Sequence, residues 1–263
     1  MSQEVQLENF FDFGTVSNFA RNYLTTYYVQ DPSDDERTIL SFLVNHLRNL
    51  EPVSAVIEIG CGPTLHHVLP LVPYASEIHM AEYLEDNLEQ IRLWKENHPD
   101  AHNWNHYTSL VLSLEGRSPT PEKIESREDE LRQKIASIQH CDLKSDIPLG
   151  EERQYPIVCS FYTAEQISNQ KSEWQQVMRR LGNLVAPGGY LFLSSVAEGD
   201  YYRIYSQGKT EEIPLTYLTP NDFREILPEL GFKTESLVIE SHDLKDLSEE
   251  GLSKIMLVAA QKY

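Results

Sequence analysis

The stretch Val56-Ile57-Glu58-Ile59-Gly60-Cys61-Gly62-Pro63-Thr64 decides the fold. A short apolar strand runs into a turn with two glycines, and neither carries a Cβ that would hold the backbone away from a ligand. The dinucleotide version of this turn, Gly-x-Gly-x-x-Gly, needs a third glycine so that a pyrophosphate can settle on the next helix N-terminus. That position is Leu65 here. The departure predicts a ligand with a nucleoside and no diphosphate.

Downstream of the turn an apolar helix begins, followed by a second strand over 77–83 and a helix over 85–97. Further strands are expected over 138–143 and 156–162. A helix over 169–186 ends at Ala186-Pro187-Gly188-Gly189, a turn that feeds a strand over 190–196. Thr219-Pro220 reads as an N-cap with proline in the first turn, Gly231 as a C-cap, and 234–240 and 255–261 as two late strands. Strands alternating with helices predict an α/β, Rossmann-like domain with a mainly parallel sheet.

Upstream, residues 1–32 are rich in aromatics: Phe10, Phe11, Phe13, Phe19, Tyr23, Tyr27 and Tyr28. Ser33-Asp34-Asp35-Glu36 has the form of a capping box and starts a helix whose apolar positions include Ile39, Leu40, Phe42, Leu43 and Leu47. Two stretches interrupt the alternation. Residues 100–137 form an insertion whose charge run over 122–134 is expected to be a solvated face. Residues 198–218 are expected to form a hairpin or loop over the carboxyl end of the sheet. The whole chain, 1–263, reads as one domain with 1–50 as a helical lid.

Two acids follow the strands that come after the glycine turn. Glu82 lies 22 residues beyond Gly60, where a carboxylate can accept hydrogen bonds from both ribose hydroxyls. Asp142-Leu143 follows the third strand, where a carboxylate and an amide can read an adenine edge. The 263 residues carry 22 Lys and Arg against 41 Asp and Glu, a formal charge of −19. Such a surface repels phosphate backbones and anionic lipid and attracts small cations, so nucleic acid and membrane are not expected partners. No apolar run approaches the roughly 18 residues of a membrane span. An acidic start without a signal peptide and three cysteines without Cys-x-x-Cys spacing predict a cytoplasmic chain with reduced thiols.

The segments Glu58-Ile-Gly-Cys-Gly-Pro-Thr64, Glu82-Tyr83 through Asn87, Cys141-Asp142, Asn183 through Gly189 and Tyr201-Tyr202 together resemble the small-amine N-methyltransferase family. That family holds the nicotinamide, phenylethanolamine and indolethylamine N-methyltransferases. The resemblance covers roughly residues 17–262 and implies a class I methyltransferase fold, with a seven-stranded sheet, helices on both faces and S-adenosylmethionine as cofactor. It implies cofactor contacts for Tyr23, Tyr28, Gly60, Gly62, Thr64, Glu82, Tyr83, Asn87, Asp142 and Leu143, with Phe161 near the adenine in place of a small residue. It implies that Glu165 holds the substrate nitrogen, and it places Tyr27, Tyr162, Glu198, Tyr202 and Glu250 around the substrate. His66 stands where the family motif has tyrosine, and Gly199 stands where one family member has a substrate acid. Tyr27 reads equally as core or as substrate wall.

Methyl transfer from a sulfonium is an in-line displacement, and alignment supplies up to about 7–11 kcal/mol of the barrier reduction. An amine of pKa about 10 is protonated in water and must lose that proton before it attacks. A carboxylate such as Glu165 orients the nitrogen and helps deprotonation only if a water or a second acid takes the proton. The reading is therefore an N-methyltransferase of a small amine acting as a monomer. Methylation at oxygen or carbon, and a non-catalytic cofactor-binding module, are the alternatives. No metal is expected: Pro99 breaks the His98, His102, His106 spacing, and consecutive His66 and His67 should diverge on a helix.

Overall fold

The computed structural model describes residues 14, 16, 18–206, 209–244 and 252–263. Two helices, α1 (Phe19–Tyr27) and α2 (Asp34–Leu47), precede β1 (Val53–Ile59), a 3-10 helix (His66–Leu71) and β2 (Ala75–Glu82). Then come α3 (Glu85–Lys95), α4 (Asn105–Leu114), α5 (Pro121–Lys134), β3 (Ile135–His140) and β4 (Tyr155–Phe161). The rest comprises α6 (Lys171–Leu184), β5 (Val185–Val196), β6 (Tyr201–Ser206), β7 (Lys209–Pro214), α7 (Pro220–Glu229), β8 (Val238–Asp243) and β9 (Lys254–Gln261).

Seven strands form one sheet in the order β3-β2-β1-β4-β5-β9-β8. The first five are parallel, and β9 is antiparallel to both neighbours. Parallel strands are covered on both faces and so read as continuous apolar runs, and β1 follows this rule. Its Val56 packs with Leu40, Leu43, Met80 and Phe192 on the face covered by α2, α4 and α5. Its Ile57 and Ile59 pack with Trp174, Leu181, Phe223 and Leu227 on the face covered by α6 and α7. The winding reverses between β1 and β4, which opens a crevice at their carboxyl ends.

Several local readings hold. Thr219 and Asp222 form a reciprocal capping box at α7, and Gly231 sits beyond its end at φ 85°. The segment after Ala197 is a hairpin of β6 and β7. Others need correction. The strand expected over 138–143 begins at Ile135, because α5 passes directly into β3 and buries that side chain. The turn at 186–189 lies within β5 as a register shift, with Tyr155 opposite Val185 and Ile157 opposite Tyr190. The helix expected after Thr64 is a single 3-10 segment containing Pro70, whose missing N–H disfavours a longer α-helix.

The insertion over 100–137 is more than a solvated appendage. Trp104 and Tyr107, each 1% exposed, pack beneath α1 against Tyr28 and His66. Within the charge run Arg127 and Glu128 are buried, and Arg127 forks onto both carboxylate oxygens of Glu115 at 2.8 and 2.7 Å. Ser33 does not cap α2 through its side chain: its Oγ donates to Asp35 Oδ1 at 2.6 Å, and Glu36 turns inward. Phe10, Phe11 and Phe13 lie outside the described residues. Among the described residues no helix is long and apolar enough to cross a membrane.

Gly60 fixes the exit of β1. Its φ is 70°, its N–H donates to Ala81 O at 2.8 Å, and a Cβ there would stand 2.3 Å from Thr163 Cγ2. Gly60→Ala is expected to destabilise the fold by about 2–3 kcal/mol in urea unfolding. Thr163→Ala in that background should restore part of the loss, and an unchanged midpoint for Gly60→Ala alone would contradict the packing described.

Candidate active site at the carboxyl edge of the sheet

A crevice opens at the strand ends. Gly60, Gly62 and Thr64 form one wall, and Glu82, Tyr83 and Asn87 form the next. Glu82 is the fixed point. Its Oε2 accepts from Gly62 N at 3.1 Å, and its Oε1 accepts from Leu84 N at 2.9 Å and Asn87 Nδ2 at 3.2 Å. Burial pushes its pKa up, against the pull of these donors. Gly62 has φ 59°, and the place of its missing Cβ is open space. Asn87 Oδ1 is buried without a partner. Leu143 and Phe161 close the opposite wall. Asp142 is not part of the lining; its Oδ1 accepts from Lys144 N at 2.8 Å.

A second cavity adjoins the first and shares Tyr23, Tyr28, Glu36, Tyr162, Tyr202 and Ile204 with it. Tyr27, Tyr107 and Asp35 complete its chemical character. Tyr27 packs part-buried against the core, lines this cavity, and its hydroxyl accepts from Tyr205 N of the hairpin at 2.9 Å. Tyr162 sits at φ 50°, its amide bonds Ser194 Oγ at 3.1 Å, and its hydroxyl donates to Asp35 Oδ2 at 2.9 Å. Burial pushes the phenols of Tyr23, Tyr28, Tyr162 and Tyr202 up, so they stay neutral donors and π-faces.

The three acids expected at the substrate fare differently. Glu165, 0% exposed, does not line either cavity. Its Oε1 accepts from Val196 N at 3.0 Å, and its Oε2 is buried without a partner. Burial raises its pKa to about 7, opposed by the amides of Val196 and of Glu165 itself and by the Ser195 hydroxyl. Glu198 is not brought to the site: at φ 56° its side chain turns outward to Lys254 Nζ at 2.8 Å. Glu250 lies outside the described residues.

Sequence reasoning missed Asp35, Glu36 and His67 as site residues. The signal for Glu36 was present, since it shares the i, i+4, i+7, i+11 stripe with Leu40, Leu43 and Leu47 and so had to point into the core. The consecutive histidines also depart from expectation. They do not diverge: both rings lean onto Glu36 Oε2, His66 Nε2 at 2.6 Å and His67 Nε2 at 3.2 Å, with ring centroids 3.9 Å apart. His67 Nδ1 lies 3.0 Å from Glu58 Oε1. Burial disfavours the Glu36 carboxylate, yet the two imidazoles hold its pKa well below the usual range.

A mainly parallel sheet of this order, with a bare glycine turn after β1 and an acid after β2, defines the class I methyltransferase fold. The solved DhpI-SAM-HEP complex shares that fold, with a TM-score of 0.56, 12% identity, and coverage of 97% of this chain and 99% of that one. The sequence pattern of the NNMT/PNMT/TEMT family matches residues 14–263, and the chain belongs to that family. It is 30% identical over 204 residues to nicotinamide N-methyltransferase of Homo sapiens, covering 74% of this chain and 75% of the relative. With phenylethanolamine N-methyltransferase of Homo sapiens it shares 26% over 186 residues, covering 69% of this chain and 64% of the relative.

The raised Glu165 pKa has a consequence for stability. The unfolded chain releases this proton near the ordinary value of 4.5, whereas the native protein holds it to about 7. Unfolding therefore releases a proton between those values, and native stability falls as pH rises through that window, then levels. The total is on the order of 3 kcal/mol. Urea unfolding from pH 5 to 8 should show this decline in the wild-type protein and a shallower one in Glu165→Gln; parallel curves would contradict the assignment.

Proposed function

We propose that this chain is an S-adenosylmethionine-dependent methyltransferase that methylates the nitrogen of a small amine. The observation that carries the reading is Glu82, a buried carboxylate tied to the glycine-turn amide and set in the crevice at the strand ends. The donor set fits the cofactor on this chain's own geometry: Gly62 leaves open space where a side chain would stand, and Asn87 Oδ1 is a buried acceptor without a donor. When bound, S-adenosylmethionine supplies an activated methyl on a sulfonium that departs as a neutral thioether.

Glu82 holds the ribose hydroxyls, Leu143 and Phe161 cover the base with Asp142 beside them, and Tyr23 and Tyr28 cover the other end. The second cavity receives the amine. Its tyrosine faces attract a cation through their quadrupoles, worth about 0.5–2 kcal/mol each way they are met, and Asp35 adds a carboxylate that Tyr162 holds in place. Glu165 lies behind this wall, outside both cavities and with one oxygen unpaired, so its part in taking the amine's proton runs through an intervening water. Two carboxylates thus meet the requirement that one orient the nitrogen while another takes the proton. The family relationship and the acidic charge support a cationic amine over an anionic acceptor. The same reading takes the chain as a single-domain, cytoplasmic monomer, in keeping with three buried, unpaired cysteines.

Two measurements test this. In calorimetry with S-adenosylhomocysteine, Glu82→Ala should bind about tenfold to a hundredfold more weakly, the cost of about 1–3 kcal/mol for unpaired polar groups; an unchanged Kd would remove the ribose assignment. With methyl-labelled cofactor and a panel of primary, secondary and heteroaromatic amines, Asp35→Asn should lower kcat/KM at least tenfold while cofactor affinity holds. Label found on phenols or carbon acids and on none of the amines would overturn nitrogen as the acceptor.

A further inference from the structure

We infer that Glu36, His66 and His67 form a binding site for one divalent transition-metal ion, of the zinc or cobalt class, where the cofactor crevice meets the second cavity. Three side chains from two elements converge here, the acid from the first turn of α2 and the imidazoles from the start of the 3-10 helix. Their donor atoms all lie within 4.8 Å of one another. Ligands at 2.0–2.2 Å around a tetrahedral ion stand about 3.3 Å apart. The His67 Nε2 to Glu36 Oε2 separation is 3.2 Å, and that from His66 Nε2 is 2.6 Å, so the His66–Glu36 pair has to open.

The surroundings match what such an ion requires. Glu58 Oε1 engages His67 Nδ1 at 3.0 Å, a carboxylate–histidine pairing that fixes the ring and leaves Nε2 for the metal. His66 is held by Trp104, whose ring stacks at 5.5 Å and 15°. Glu36 and Glu58 are almost wholly buried, and their ion-pair partners are these imidazoles. Two nitrogens and one carboxylate oxygen favour zinc, cobalt or iron over magnesium or calcium. Glu36 and His67 line the crevice, so the remaining coordination positions face it.

The test uses the full-length protein without cofactor or amine, so a failure here leaves the methyltransferase reading standing. Titration with Co²⁺ alone should give a visible ligand-field band that saturates at one ion per chain, and Zn²⁺ should displace it. His66→Tyr and His67→Gln should lose the band, and Glu58→Gln, which keeps all three ligands, should weaken binding by about 10–100-fold, with circular dichroism confirming the fold of each variant. Should a ligand variant fail to fold, Glu58→Gln and the wild-type stoichiometry decide. No saturable band in the wild-type protein would overturn the site and leave a cluster held by protons alone. A band of wild-type strength in His66→Tyr and His67→Gln, or undiminished affinity in Glu58→Gln, would also overturn it by placing the metal elsewhere.

Discussion

The site depends on how three strand ends are tied together at one glycine. Gly60 must be bare because the Thr163 side chain occupies the place of a Cβ, and that contact brings the loop after β4 onto the end of β1. Thr163 Oγ1 bonds Gly60 O at 3.2 Å, Gly60 N bonds Ala81 O at 2.8 Å, and Gly62 N bonds Glu82 Oε2 at 3.1 Å. One short turn therefore fixes β1, β2 and β4 relative to each other. The crevice, the acid at its floor and the tyrosine wall beyond it take their positions from this tie.

The second theme is the concentration of buried negative charge beside neutral phenols. Asp35 is held by Ser33 and Tyr162, Glu36 and Glu58 by the histidines, and Glu165 by the Val196 amide on one oxygen. Unpaired buried carboxylates are costly, so each has its own compensation, and these differ. Glu165 keeps its proton to about pH 7, whereas Glu36 remains ionised because imidazoles flank it. An enclosure that is aromatic at its walls and acidic at its base favours a small cation that can release a proton once inside.

Much of this was legible in the sequence because it follows from local rules. The glycine turn, Glu82, Leu143, the hairpin after Ala197 and the Thr219 N-cap each rest on short-range geometry, and the family resemblance extended them to Tyr23, Tyr28 and Asn87. What was missed depends on tertiary partners. Ser33 through Glu36 has the form of a capping box, yet two histidines thirty residues away attract Glu36 more strongly than its own helix terminus does. Glu198 lies close in sequence to where a substrate acid was expected, but a left-handed backbone turns it to Lys254. The insertion reads as charged, while its two largest aromatics, Trp104 and Tyr107, pack against Tyr28 at the end of α1.

The most direct test of the central claim is a crystal structure of the protein grown with S-adenosylhomocysteine. The account predicts the ribose hydroxyls on the Glu82 carboxylate, the adenine between Leu143 and Phe161, and the thioether sulfur facing the cavity bounded by Tyr28 and Tyr162. A nucleoside bound elsewhere, or a Glu82 carboxylate that makes no contact with it, would contradict the account.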